Sequence, residues 1–275
     1  MSKIKQALLL GVLFIVIAVT LFLFTGKIFY LFNFLYIGSF ITLGIFLYET
    51  GWKYSRLVVQ FGVGLYMLVF LGFISRENMQ LSGFFYYLFM GTFQAAVIHY
   101  FVAKLAGPFI FGRGFCGYAC WTAMILDLLP FKKPKSHERI RKLGVLRFIV
   151  FAGTLIFVAA LFFFKVPNLD NVLFFVFIIG NIIYYTVGII LAFLLKDNRA
   201  FCKYICPVTI FLKPCSYFSL IRIKVNKEKC INCKKCLDIC PMDVDMLDNK
   251  RSRKNGMECI HCGHCVKICP AKAVK

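Results

Sequence analysis

Residues 7–48 read ALLLGVLFIVIAVTLFLF-TGK-IFYLFNFLYIGSFITLGIFLY, and Lys27 is the one charge in the stretch. Each half, 7–24 and 28–48, approaches the roughly 20 residues that a helix needs to cross a hydrocarbon core of about 30 Å. Within lipid only a helix or a closed barrel satisfies its own backbone, so two spanning helices joined by a tight turn are expected. Working outward, similar runs occupy 57–74, 83–106, 148–164 and 171–195. The fourth carries Lys104 near its end, where a long stem can snorkel toward water. The expectation is an α-helical integral membrane protein with about six transmembrane helices in a domain spanning 1–200. The first run is followed at once by a second and lacks a small-residue cleavage site, so it reads as a retained span and not a signal peptide. Residues 107–131 are apolar but interrupted by Gly, Pro and Arg, which reads as an interfacial or re-entrant segment.

Composition agrees with that reading. The 275 residues are 60% hydrophobic and 16% charged, with mean hydropathy +0.78, which excludes both a disordered chain and an average soluble domain. The net charge of +21 comes from 33 Lys+Arg against 12 Asp+Glu. With the N-terminus inside, 30 of the 33 fall on the inner side, leaving Lys27, Arg76 and Lys165 outside. This places both termini on the cytoplasmic side of the cell membrane. It attributes the positive charge to topology and to attraction for anionic membrane lipid, with no need of nucleic acid.

Eight of the thirteen cysteines fall in the last 46 residues, in two copies of one pattern. The first is Cys230-x2-Cys233-x2-Cys236-x3-Cys240-Pro241, and the second is Cys259-x2-Cys262-x2-Cys265-x3-Cys269-Pro270. In such runs three closely spaced thiolates hold one cluster and the fourth reaches the other. Cys230, Cys233, Cys236 and Cys269 are therefore expected to hold one [4Fe–4S] cluster, and Cys259, Cys262, Cys265 and Cys240 a second. Structural zinc sites show paired C-x2-C arms and not a triple run, and disulfides do not suit a cytoplasmic module. The basic run Lys250–Lys254 between the motifs reads as a solvated loop, with docking of an acidic carrier as the alternative.

Two further pairs lie outside the tail. Arg113-x-Phe115-Cys116-x-Tyr118-x-Cys120 is repeated as Arg199-x-Phe201-Cys202-x-Tyr204-x-Cys206, which suggests an internal duplication. If helical, each i, i+4 pair shares one face. Together Cys116, Cys120, Cys202 and Cys206 supply the four thiolates that one further Fe–S or metal centre needs at the membrane edge. Dithiol chemistry and inert packing are the competing readings. Cys215 has no repeat partner. His99, inside the fourth run, reads as a packing residue with quinone contact as the alternative. His261 and His264 lie between tail cysteines, where they can tune a cluster or stand exposed.

The segments 112–129 (GRGFCGYACWTAMILDLL) and 201–212 (FCKYICPVTIFL), with the tail module, resemble the NapH/NosR-type membrane polyferredoxins. The final 225–275 stretch resembles a bacterial two-cluster ferredoxin, which implies a small C-terminal α+β 2[4Fe–4S] domain joined through a second interfacial cysteine segment and linker at 201–224. The resemblance implies electron transfer between a cytoplasmic donor or acceptor and a membrane quinone pool or a partner oxidoreductase subunit, with a soluble electron carrier as the other partner. It also raises a metal-ion (copper) reductase or cofactor-assembly factor, and a non-catalytic membrane anchor of a larger oxidoreductase. No P-loop, dinucleotide fingerprint or nucleophile elbow is present.

Overall fold

In a computed structural model, which describes residues 3–131 and 138–275, helices cover most of the apolar runs. Helices α1 (Lys3–Thr25) and α2 (Ile28–Glu49) turn back on one another at Gly26. Gly11 faces Thr42 and Gly38 faces Phe14, the crossing pattern of an antiparallel pair. Helix α3 (Ser55–Ile74) follows and widens into a π-helical second half from Tyr66. Five helices are long and apolar enough to cross a membrane: Ala7–Thr25, Ile28–Glu49, Ser55–Ile74, Arg141–Phe163 and Leu169–Leu195. Their outer faces carry bare apolar side chains such as Leu23, Phe24 and Phe163, all more than 70% exposed. Such a surface suits lipid and not water, and the chain is a membrane protein by this measure.

The run at 83–106 is not one helix. Helix α4 (Leu81–Phe89) stops, the chain turns, and α5 (Ala95–Phe111) resumes. The cause is a Schellman cap. Gly91, at φ +67°, donates to the Leu88 carbonyl while Thr92 donates to the Tyr87 carbonyl, closing the orphan acceptors of the last turn. Helix α4 is buried along nearly its whole length. The polar strap before it is also covered, with Asn78 donating to Ser82 and to the Leu173 carbonyl. Non-helical backbone at such depth is tolerated where protein surrounds it.

Beyond α5 come two short turns, α6 (Gly114–Tyr118) and α7 (Trp121–Leu126). The long helices α8 (Leu146–Phe163) and α9 (Leu169–Leu195) lead to α10 (Ala200–Tyr204) and α11 (Thr209–Tyr217). Lys132, Lys133 and Lys135, counted above toward the inner face, lie outside the described residues.

The tail holds only α12 (Lys235–Asp238), α13 (His264–Ile268) and a 3-10 turn at Gly256–Glu258. In place of a sheet, the described residues contain one antiparallel bridge, Val225 to Val274, flanked by reciprocal bonds between Lys224 and Lys275. Several of the cations counted above toward the inner face are not at a headgroup surface either. Arg113, Arg147, Arg199, Lys203 and Arg253 are buried in ion pairs and hydrogen bonds, and Lys104 is buried over the Phe115 ring.

Candidate functional site

The cysteines fall into three groups. One tail cavity is lined by Cys230, Cys233, Cys236 and Cys269, with Val225, Leu247 and Val274 around them. A second is lined by Cys240, Cys259, Cys262 and Cys265, with Ile223, Met242 and Met246. Each cavity thus gathers three cysteines of one run and the fourth of the other. Four thiols on one apolar cavity is the donor set of one cubane cluster. Left-handed residues at Asn232, Lys234, His261 and Gly263 bend the chain between the close-set cysteines. Burial pushes the Cys240 thiol up to about 12 and the Cys259 thiol up to about 11, so neither ionises at neutral pH without a cation to neutralise it.

The third group sits at the end of the bundle facing the tail. Helices α6 and α10 are matching five-residue turns, each opened by an arginine and carrying the first cysteine of its pair in the turn. The second cysteine lies just beyond the turn, so the i, i+4 pair does not ride on one continuous helix. Cys120 is extended (φ −76°, ψ 117°) and starts α7, and Cys206 leads by way of Pro207 into α11. Trp121 stands where the second repeat has Pro207, and its indole donates to Asn181 at 2.9 Å, tying α7 to α9. The four thiols lie close enough to oppose one another's ionisation. Burial raises Cys206 to about 11 and Cys202 to about 12, with Cys116 and Cys120 adding to each.

Buried cations surround this group. The Arg113 guanidinium reaches to 4.0 Å from Cys116 Sγ, and Arg199 to 3.9 Å from Cys202 Sγ, the same contact in both repeats. Lys104, 5% exposed, lies over the Phe115 ring with Cys116, Cys120 and Cys206 in its field. A four-thiolate site is strongly anionic, and three buried cations supply the opposite charge that a low-dielectric site requires. Among the described residues, no three His, Cys, Asp or Glu side chains converge tightly enough for a single metal ion.

The arginines also fasten the tail to the bundle. Arg113 pairs with Glu258, which receives Arg139 at 2.9 Å and Lys213 at 2.7 Å as well. Burial would raise the Glu258 carboxyl, but Arg113, Arg139 and Lys213 outweigh it and hold it at about 2. Arg199 clamps Asp127 through two bonds of 2.5 and 2.8 Å, and Arg56 adds a third at 2.7 Å. Asp127 is thus buried in an ion cluster. The Arg113 amide donates to the Cys259 carbonyl at 3.2 Å, and Tyr118 donates to the His261 carbonyl at 2.9 Å. A Cβ on Gly117 would collide with the Ile260 carbonyl, so glycine is required where tail and bundle meet. As a result Cys116 and Cys202 share one buried cluster with Cys240, Cys259 and Cys265.

Comparison with known proteins agrees with this layout. Residues 222–270 match the 4Fe-4S dicluster domain, and residues 93–136 and 172–228 match a 4Fe-4S binding domain. The chain is an iron–sulfur protein. Its ferredoxin-type domains support an electron-transfer role. An uncharacterised protein of Methanocaldococcus jannaschii is 30% identical over 158 residues, 51% of this chain and 65% of its own length. The methylamine utilization ferredoxin-type protein MauN of Methylorubrum extorquens is 31% identical over 136 residues, 47% of each chain. Its counterpart in Paracoccus denitrificans is 29% identical over 138 residues, 47% of this chain and 48% of its own length. The matched stretches thus span about half to two-thirds of these curated relatives. No solved structure matches the chain.

Other residues singled out by sequence take quieter places in this iron–sulfur protein. His99 packs edge-on against Phe115, with ring centroids 4.9 Å apart, and its Nε2 is buried without a partner among the described residues. His261 and His264 are covered, and burial lowers both to about 4, with Arg253 adding for the first and Arg56 for the second. Cys215 is buried on α11 and lines neither tail cavity. The run at 250–254 is not a free basic loop: Arg251 donates to the Tyr217 and Ser219 carbonyls, and Arg253 to Ile223. Glu258 and Asp243 escaped the sequence reading. Their signal is an acid set beside a cysteine motif in a strongly basic chain.

Proposed function

We propose that the chain is a membrane-bound electron relay between a soluble carrier on the cytoplasmic side and a membrane quinone pool or a partner redox subunit. In this reading Cys230, Cys233, Cys236 and Cys269 hold one [4Fe–4S] cluster, and Cys259, Cys262, Cys265 and Cys240 hold a second. Cys116, Cys120, Cys202 and Cys206 hold a third at the membrane edge. When bound, the clusters supply one-electron storage and transfer, and the protein supplies position, burial and charge. Arg113, Arg199 and Lys104 offset the charge of the edge site. Arg113 and Glu258 fix that site against the tail, Asp127 holds Arg199 beside Cys202 within the membrane domain, and the apolar bundle keeps water from the site.

The observation that carries the reading is the junction itself. Thiols from two repeats of the membrane domain pack into the same buried apolar core as the tail cysteines, and the Arg113 amide donates a hydrogen bond to the Cys259 carbonyl. An inert anchor needs no such convergence of buried thiols and cations. MauN is named as a ferredoxin-type protein of methylamine utilization, which fits a relay serving an oxidoreductase system.

The test is anaerobic. The purified protein is reduced by photoreduced deazaflavin, decylubiquinone is added, and the reduced-cluster EPR signals are followed. Reoxidation in wild type, and its loss when Cys116, Cys120, Cys202 and Cys206 are changed to Ser, is expected. Signals untouched by quinone would overturn the quinone arm of the proposal.

A further inference from the structure

Of the thirteen cysteines, Cys233 alone is exposed. It stands on the cavity that it shares with Cys230, Cys236 and Cys269. Ile231, next to it, is 66% exposed, a bare aliphatic side chain on a polar module. Lys234 lines that cavity, and lysines are dense in the segments that build it. Lys224, Lys227, Lys229, Lys234, Lys235, Lys272 and Lys275 are all exposed, and each lies within three residues of one that lines the cavity. The acids within three residues of a lining residue are Glu228 and Asp238, both exposed, and Asp245 and Asp248, both half-buried. By contrast, the other cavity is turned inward, since Glu258, Cys259, Ile260 and His261 hold the module to the bundle. Lys267 lies over the Tyr48 ring on that same side, 4.4 Å from its centroid.

We propose that this lysine-rich face around Cys233 and Ile231 is the docking surface for an acidic, soluble one-electron carrier protein. The reasoning is electrostatic and geometric. A field of one sign around a redox centre raises the encounter rate with a partner of opposite sign by about 10- to 1000-fold at low salt. A small apolar contact at the centre, ringed by charge, is the anatomy of a transient interface. The exposed edge is also where a partner approaches these thiolates most closely. In the loop at 250–254, Arg251 and Arg253 are tied to backbone carbonyls of the linker, which leaves Lys250 and Lys254 as its free exposed cations and the comparison for the test below. The inference rests on the reading that the Cys230 group holds a cluster, and it adds the partner and its entry point.

The test uses purified, reduced acidic flavodoxin as the probe and measures by stopped flow the second-order rate at which it reduces the full-length protein in detergent. Three proteins are compared: wild type, the Lys234→Glu/Lys235→Glu double variant, and a Lys250→Glu/Lys254→Glu control. The wild-type rate should fall by about 10-fold or more from low to high salt. The 234/235 reversal should lower the low-salt rate about 10-fold and flatten the salt dependence, and the control should stay within about 2-fold of wild type. Equal rates in all three proteins, or a larger loss in the control, would overturn the proposal and return these lysines to solvation or lipid contact. The extent of bleaching by photoreduced deazaflavin is measured in parallel. Full bleaching in each protein shows that the variants fold and carry clusters; none in wild type would sink the cluster reading itself, separately from the docking surface.

Discussion

Glu258→Gln should loosen the tail from the membrane domain by a calculable amount. The side chain is 1% exposed and receives Arg113, Arg139 and Lys213. Its carboxyl lies near 2 against an ordinary 4.5. At about 1.4 kcal/mol per pKa unit, that depression corresponds to about 3 kcal/mol of folded-state preference for the charged form. Removing one partner of a buried ion pair costs about 3–5 kcal/mol in other proteins, a similar size. Hydrogen exchange offers a direct readout, because the Arg113 amide is bonded across the junction to the Cys259 carbonyl at 3.2 Å. When opening is fast and reversible, protection at that amide follows the open population. A loss of about 3 kcal/mol therefore lowers its protection factor about 150-fold, while amides deep in α9 keep theirs. The pH dependence follows from the same shift. The folded carboxyl is depressed, so its stabilisation is complete above about 4.5 and disappears as pH falls toward 2. Wild type should lose protection at Arg113 over that window, and the variant should not change there. A change of less than about 3-fold at neutral pH would refute the view that this carboxylate holds the junction.

Other outcomes follow from single contacts. Gly117→Val should push the Ile260 carbonyl away and reduce Arg113 protection in the same assay, at a cost of about 1–3 kcal/mol. Gly91→Val should strain the cap between α4 and α5 and lower the thermal midpoint without changing iron content, since left-handed backbone costs a non-glycine residue about 1–2 kcal/mol. Arg199→Lys should lose the two-pronged grip on Asp127 and the contact with Cys202, so iron at the membrane-edge site should drop while the tail signals persist. Trp121→Phe should remove the bond to Asn181 and destabilise the bundle by about 1–2 kcal/mol, measured by thermal unfolding in detergent.

The parts of this fold that were legible in the sequence are those set by composition and spacing. Runs such as 7–24 and 171–195 have no polar backbone option but helix in lipid, and two C-x2-C-x2-C-x3-C-P runs admit few alternatives. The doubled Arg-x-Phe-Cys pattern was legible too, and its arginine, read only as a repeat marker, proved to be the residue touching the thiol. The run at 83–106 misled because hydropathy is blind to backbone geometry. Its Phe, Tyr and Met content is that of a span, while Met90-Gly91-Thr92 carries the stop signal. The junction was illegible for a different reason. Glu258 and Arg113 lie 145 positions apart, and pairing over such a distance depends on the packed tail, which no local pattern reports. The same holds for Asp127, whose seven-residue offset from Cys120 said nothing of Arg56 and Arg199 closing over it.

The central claim is that the chain holds three centres and that the third is built from the two membrane-domain pairs. Iron and acid-labile sulfide, measured anaerobically with EPR on the detergent-purified protein, test it most directly. The comparison is wild type against the variant with Cys116, Cys120, Cys202 and Cys206 all changed to Ser. The expected result is about twelve iron atoms per chain falling to about eight, with one EPR signal lost and the tail signals intact. About eight in both proteins, with identical spectra, would contradict it and leave those four cysteines to dithiol chemistry or packing.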